Sequence, residues 1–420
     1  MKKIICICMS VVMMICVGGC GKMIATHKIE CGAVSGDPGV KNEYSDICDG
    51  AFDDYAGGEE FAFEPGASEN GGSSEEQNTS GMLTAGEWKD LDNYEFWSTL
   101  LNKNEWYRLM ESRNLFANKM IKVNVIDKEG NPCFNAYINL LDKDDNVIYS
   151  GRSDLGGNAY LFYDVDNNKE QAVSVEVNGI KTLLDGKSEI KVKIEEFGTE
   201  FNYLDIMFMI DTTGSMGDEL NFLQTEVEDV INRVANTQKT LSIRMSVNFY
   251  RDKGDRYIVR DNKFYTDIDE CIKQLKEQEA DGGGDYPEAV HTAMDNAVNE
   301  HQWRENAVKL CFLVLDAPPH NETEIEGINE QLQSVTEKAA DKGIRIIPVA
   351  SSGVDTETEF LMRSFAVMTG GTYIFLTDHS GIGESHLEPT VGEYEVKKLN
   401  ELLYDVILNY CGMKTVNVVQ

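Results

Sequence analysis

Basic side chains, histidine and proline are all scarce in this 420-residue chain. Lys and Arg total 38 against 72 Asp and Glu, a formal net charge of −34. A surface this acidic repels phosphate backbones, which argues against nucleic-acid binding and suits divalent cations and basic protein surfaces. The six histidines are scattered, and a catalytic zinc wants several close protein ligands, so His320 reads as a loop residue rather than a metal ligand. No C-x-x-C occurs, which removes support for a zinc ribbon or a thioredoxin-type site. Past the N-terminus no apolar run reaches the length of a membrane span, so a polytopic membrane protein is excluded. With 42% of residues hydrophobic, wholesale disorder is excluded as well.

What is present begins with an address. Lys2 and Lys3 precede an uncharged apolar run from Ile4 to Val17, the proportions of a signal-peptide core. The run ends in Val17-Gly18-Gly19-Cys20. Small residues before a cysteine resemble the lipobox of bacterial lipoproteins. That resemblance implies cleavage at 1–19 and a lipid on Cys20, holding the chain at the extracytoplasmic face of the cell membrane by buried methylenes. Six cysteines then remain: Cys31, Cys48, Cys133, Cys271, Cys311 and Cys411. Cys311 sits in an apolar run and reads as a core thiol. Cys31 and Cys48 are the most plausible pair in an oxidising compartment.

Residues 43–88 hold 12 acidic side chains and no Lys or Arg. Self-repulsion and low hydrophobicity make residues 20–87 an extended tether, and 88–118 a short helical connector. From Met120 the pattern has period two, with turns at 127–130 and 142–146, as in a small antiparallel sandwich over 119–197. Asp164, Asp166 and Asn168 mimic the start of a calcium loop, but the later positions lack its Gly and Glu, so this is a plain turn. The stretch from Val125 through Glu129-Gly130-Asn131-Pro132, with Ser153-Asp154-Leu155-Gly156-Gly157, resembles bacterial Ig-like, transthyretin-like domains. Such a domain is usually a spacer.

From Asn202 strands and helices alternate to about residue 412. Apolar strands at 204–210, 242–250, 308–315, 344–350 and 372–376 specify an α/β fold, a doubly wound, mostly parallel sheet with helices on both faces. Ligands in such sheets sit beyond the carboxyl ends of the strands. There the sequence reads Asp211-Thr212-Thr213-Gly214-Ser215, a carboxylate followed by hydroxyls at alternate positions. Asp316 ends the second buried strand, and Asp281-Gly-Gly-Gly-Asp285 precedes another helix. Hard oxygen donors of this kind suit Mg²⁺. Asp281 reads as a loop residue.

Asp211-x-Thr213-x-Ser215, Gly282-Gly283-Gly284-Asp285 and Asp316-Ala317-Pro318-Pro319-His320 together resemble a von Willebrand factor A domain with a metal-ion-dependent adhesion site. The resemblance covers residues 202–412. It implies Mg²⁺ (or Mn²⁺ or Ca²⁺) held by the hydroxyls of Thr213 and Ser215. It also implies that Asp211 and Asp316 act largely through water, leaving one vertex for a carboxylate from a protein or peptide partner. Asp285 stands where the family usually has Thr. A third carboxylate there implies tighter cation binding and weaker attraction for an acidic partner. The Gly-Gly-Gly-Asp-x-Pro-Glu and Asp-Ala-Pro-Pro-His pairing is similar to a subgroup linked to atypical kinases, but this chain carries no kinase module.

The expectation is therefore a non-enzymatic, surface-anchored binding protein. The alternatives are an assembly lipoprotein with a structural metal and, weaker, a metal-dependent hydrolase, against which the missing nucleophile–base pair stands. Cys20→Ser is expected to release the chain from the membrane fraction. Retention there with unchanged mass would remove the lipobox reading.

Overall fold

The computed structural model describes residues 80–195, 201–237, 241–383 and 385–413. The signal segment, Cys20, Cys31, Cys48 and most of the acidic tether lie outside the described residues. Among the described residues, no helix is long and apolar enough to cross a membrane.

The first element is β1, Thr84–Trp88, followed by helices α1 (Tyr94–Leu101) and α2 (Asn104–Arg113). Seven strands come next: β2 (Met120–Ile126), β3 (Tyr137–Leu141), β4 (Val147–Arg152), β5 (Asn158–Phe162), β6 (Ser174–Val177), β7 (Ile180–Leu183) and β8 (Glu189–Lys193). They form two sheets, in the orders β5-β2-β8 and β4-β3-β6-β7. β2 alternates buried and half-buried residues along its length, so one side chain in two enters the space between the sheets. β8 runs parallel to β2, so this unit is not wholly antiparallel as its short-turn pattern suggests.

The C-terminal half supplies β9 (Tyr203–Asp211), α3 (Leu220–Thr237), β10 (Ser242–Tyr250), β11 (Val259–Arg260), α4 (Ile268–Lys276), α5 (Val290–Asp295), β12 (Ala307–Leu315), α6 (Ile328–Lys342), β13 (Ile344–Ala350), α7 (Thr356–Thr369), β14 (Tyr373–Leu376), β15 (Lys397–Lys398) and α8 (Leu399–Tyr410). The sheet order is β11-β10-β9-β12-β13-β14-β1-β15. The five strands from β10 to β14 are parallel, and β11, β1 and β15 are antiparallel additions at the margins. β9 and β12 are central and almost wholly buried, as expected when helices cover both faces. Helix ends follow local chemistry. Asp355 caps α7 by accepting from the Thr358 amide at 2.8 Å, and Gly343 and Gly370 close α6 and α7 in the left-handed conformation.

Two features depart from the composition-based reading. Thr84–Trp88, counted with the acidic tether up to residue 87, pairs with β14 and β15 inside the main sheet. Its entry is fastened by Glu226 of α3, which accepts from the amides of Gly81, Met82 and Leu83 at 2.8–3.2 Å. The sandwich is also docked rather than held apart as a spacer. Tyr149 donates to the Met368 carbonyl at 2.8 Å, Arg152 to the Asp341 carbonyl at 3.0 Å, and Arg345 to the Arg152 carbonyl at 2.8 Å across the seam. Sandwich, connector and one face of the main sheet share a continuous apolar core, while α3, α4 and α8 pack on the other face.

The connector is tied in by a buried ionic cluster. Arg363 on α7 is fully buried, pairs with Asp90 at 2.6 Å and with Glu359 at 2.9 Å, and lies over the rings of Trp97 and Trp106. Removing one partner of a buried ion pair strands the other charge, at a cost of about 3–5 kcal/mol. Asp90→Ala is therefore expected to lower unfolding free energy by about 3 kcal/mol in denaturant titration. A change below about 1 kcal/mol would show that the connector is not part of the cooperative fold.

Candidate metal centre

β9 delivers Asp211 to the carboxyl end of the sheet, where its side chain is fully buried. One carboxylate oxygen, Oδ1, accepts from the Thr213 amide at 2.8 Å and the Thr213 hydroxyl at 2.7 Å. This tight turn places Thr213 Oγ1 3.2 Å from Ser215 Oγ. The short helical turn Gly214–Asp218 then leads into α3. β12 delivers Asp316 beside the same point. A third loop to reach this point, residues 281–288, is laced to the first, residues 211–215, since the Gly214 amide donates to the Gly282 carbonyl at 3.1 Å and the Asp281 amide to the Thr212 carbonyl at 3.1 Å. Gly282 has φ +81°, and a Cβ there would lie 2.4 Å from Asp255 Oδ1, so only glycine allows this approach.

These loops enclose a crevice of about 500 Å³ lined by Ser215, Gly282–Gly284, Asp285, Tyr286, Glu288, Asp316, Ser352 and Gly353. Ser215 and Asp316 line it, and Asp211 and Thr213 lie fully buried behind Ser215. Asp285 lines the crevice from an exposed position at its rim. Asp281 pairs with Arg251 at 3.3 Å on the surface. His320 is held by Asp252 at 2.8 Å and Glu324 at 3.3 Å, a structural clasp. Asp164 serves its turn by accepting from Lys119 and the Lys169 amide. Cys133, Cys271, Cys311 and Cys411 are buried free thiols.

The residue missed in the sequence is Glu288. It is 2% exposed, lines the crevice, and its amide donates to the Pro318 carbonyl at 2.9 Å, joining the third loop to the segment after Asp316. Its signal was an acid heading the apolar run Ala289-Val290, next to the more conspicuous glycine-flanked Asp285.

The electrostatics of the floor are one-sided. Burial, reinforced by Asp316, raises the Asp211 carboxyl to about 7. Burial raises Asp316 to about 6, with the Ser215 hydroxyl pulling the other way. Burial and the neighbouring Asp211 raise Glu288 to about 9. Asp211 Oδ2, Asp316 Oδ1 and Glu288 Oε2 are buried with no hydrogen bond of ordinary length, and the buried Tyr250 hydroxyl faces Asp211. Among the described residues none of the three carboxylates has a basic partner in an ion pair. Buried charge of one sign calls for a compensating ion, so the donor set fits a hard divalent cation. No three Asp, Glu, His or Cys side chains among the described residues stand close enough to hold an ion by themselves. A cation here would therefore depend on the Thr213 and Ser215 hydroxyls.

Two braces hold the rim. Arg113 of α2 donates to the carbonyls of His320 at 2.6 Å and Pro319 at 3.0 Å and pairs with Glu357, fixing the loop after Asp316. Glu219, fully buried at the head of α3, accepts from the Ser352 amide and from His386 Nε2 at 2.9 Å; His386 Nδ1 meets Asp378 at 2.7 Å.

A central parallel sheet with acids and hydroxyls gathered at the carboxyl ends of adjacent strands defines a class of ligand-binding α/β domain. Residues 205–378 match the family described as von Willebrand factor A domain. Domains of this class generally mediate protein interactions. The chain is 26% identical over 214 residues to a putative ariadne-like RING finger protein of Acanthamoeba polyphaga mimivirus, a match that covers 48% of this chain and 20% of that protein. It thus spans about a fifth of that relative's length. A solved structure, the conserved hypothetical protein BatB from Bacteroides thetaiotaomicron, aligns with a TM-score of 0.34 and 10% identity over 50% of this chain and 99% of that one.

His386 yields a pH prediction. Burial lowers its pKa, but hydrogen bonds to Glu219 and Asp378 more than offset this, and the net shift is upward. Its stabilisation is full below the unfolded-state value near 6.5 and is lost as pH rises through the folded value. His386→Gln should therefore lower the melting temperature at pH 5.5 and much less at pH 9. Equal losses at both pH values would assign His386 a packing role only.

Proposed function

We propose that this chain is a lipid-anchored, extracytoplasmic binding protein that engages a protein or peptide partner through a Mg²⁺-dependent adhesion site, and that it is not an enzyme. The observation that carries the reading is the set of buried carboxylate oxygens on Asp211 and Asp316, without a hydrogen bond of ordinary length, beside the paired hydroxyls of Thr213 and Ser215. The residues that would hold the ion are Thr213 and Ser215 directly, with Asp211 and Asp316 behind them; Asp285, expected from the sequence as a further ligand, stands exposed at the rim. When bound, Mg²⁺, Mn²⁺ or Ca²⁺ would supply positive charge to this floor and an open vertex for a partner's oxygen. Asp211 orients the Thr213 hydroxyl by accepting its proton bond, so the hydroxyl oxygen's lone pairs face the crevice. Arg113 and Glu219 keep the two walls of the crevice in place, as a recognition surface requires. The crevice holds no nucleophile–base pair of the kind that hydrolysis needs. Anchoring rests on the Cys20 sequence context.

A ligand that binds only the folded state at 100 times its Kd stabilises it by about 2.7 kcal/mol. Millimolar Mg²⁺ or Mn²⁺ should therefore raise the melting temperature of residues 80–420, and chelator should reverse the rise. Asp211→Ala should abolish the response while leaving a folded protein, as circular dichroism would report. A wild-type chain whose melting temperature ignores Mg²⁺, Mn²⁺ and Ca²⁺ would sink the metal-dependent reading.

A further inference from the structure

The third loop carries two acids, and the structure separates them. Asp285 is exposed at the rim. Glu288 is buried, with Oε2 unpartnered. Its other oxygen, Oε1, lies 3.0 Å from where a Cβ on Gly283 would sit, and the same Cβ would be 3.3 Å from Thr213 Cβ. The Glu288 carboxylate therefore stands against the third-loop backbone at the point where that backbone meets the hydroxyl-bearing loop. A backbone bridge from Glu288 to Pro319 holds it beside the segment that follows Asp316.

On the reading that the crevice binds a divalent cation, we propose that Glu288, and not Asp285, is the third-loop carboxylate that serves the cation, and that it sets the partner's chemistry. Leaving a buried carboxylate oxygen with nothing to bond is unfavourable unless a ligand completes it. Asp285 has no such need, because water solvates it at the rim. Asp211, Asp316 and Glu288 together bring three negative charges to one divalent cation. The loaded floor then keeps a net negative charge and disfavours a partner carboxylate. The group it accepts is an uncharged oxygen, from an amide, a carbonyl or a hydroxyl. Glu288 acts through the water shell of a cation whose direct protein donors are Thr213 and Ser215, since no three acids among the described residues stand close enough to hold an ion by themselves.

The test titrates Mn²⁺ into the full-length protein and its Glu288→Gln and Asp285→Asn variants by calorimetry, then adds acetate to each Mn²⁺-saturated sample. Glu288→Gln should weaken Mn²⁺ at least fivefold and Asp285→Asn less than twofold. Saturated Glu288→Gln should bind acetate at least threefold more tightly than saturated wild type. Because Gln matches Glu in shape, Glu288→Gln without cation should melt no lower than wild type. Asp285→Asn losing as much Mn²⁺ affinity as Glu288→Gln would overturn the assignment. So would a Glu288→Gln chain that melts well below wild type without cation, since Glu288 would then be a structural residue. Unchanged acetate affinity would overturn the inference about partner chemistry. A wild-type chain that binds no Mn²⁺ fails at the earlier step and removes the cation reading itself, an outcome separate from wild-type binding that Glu288→Gln leaves intact.

Discussion

Three carboxylates of like charge, buried at the end of a parallel sheet without a basic partner in an ion pair among the described residues, are the constraint on which the site depends. Asp211 and Asp316 are there because β9 and β12 are adjacent, parallel and in register. Glu288 is there because the third loop is laced to the first. Protons or a cation must offset their charge, and the upward shifts of all three carboxyls are the energetic signature of that demand. A hydrophobic isostere at any of the three would relieve the repulsion.

Holding such a site requires a frame that does not relax around it. The frame extends beyond the domain that the alternating strands define. β1 lies between β14 and β15, Arg363 joins α7 to Asp90, and Arg113 holds the loop after Asp316 from the connector. β1, the connector and the crevice walls are therefore parts of one frame. The sandwich contributes by covering α6 and α7, sharing their core instead of standing off as a spacer.

Some of this could be read from residue order. The apolar runs of β9 and β12 and the Gly-closed helices α6 and α7 obey local rules, so the doubly wound α/β fold was accessible before any coordinates. Asp211, Thr213 and Ser215 were also accessible, because a strand end followed by alternate hydroxyls places its donors within one turn. β1 was not. Thr84-Ala-Gly-Glu-Trp88 carries no strong strand signal, and it folds because β14 and β15 each offer it an edge. His386 was equally hidden, since its partner Glu219 lies far from it in the chain and Asp378 sits in a short helical turn before it with no regular spacing to signal the pair.

The third loop shows the division most sharply. Sequence determined that an acid would stand there, because Gly282-Gly283-Gly284 demands a turn and both Asp285 and Glu288 follow it. Which of them turns inward was a tertiary decision. Gly282 packs against Asp255, the Glu288 amide is claimed by the Pro318 carbonyl, and together these contacts rotate Asp285 to solvent and Glu288 into the crevice. Local chemistry thus specified the strands, the caps and the kinds of donor. Burial, which depends on segments distant in the chain, decided which carboxylates lose water, because desolvation is set by what packs over a side chain and not by its neighbours in sequence.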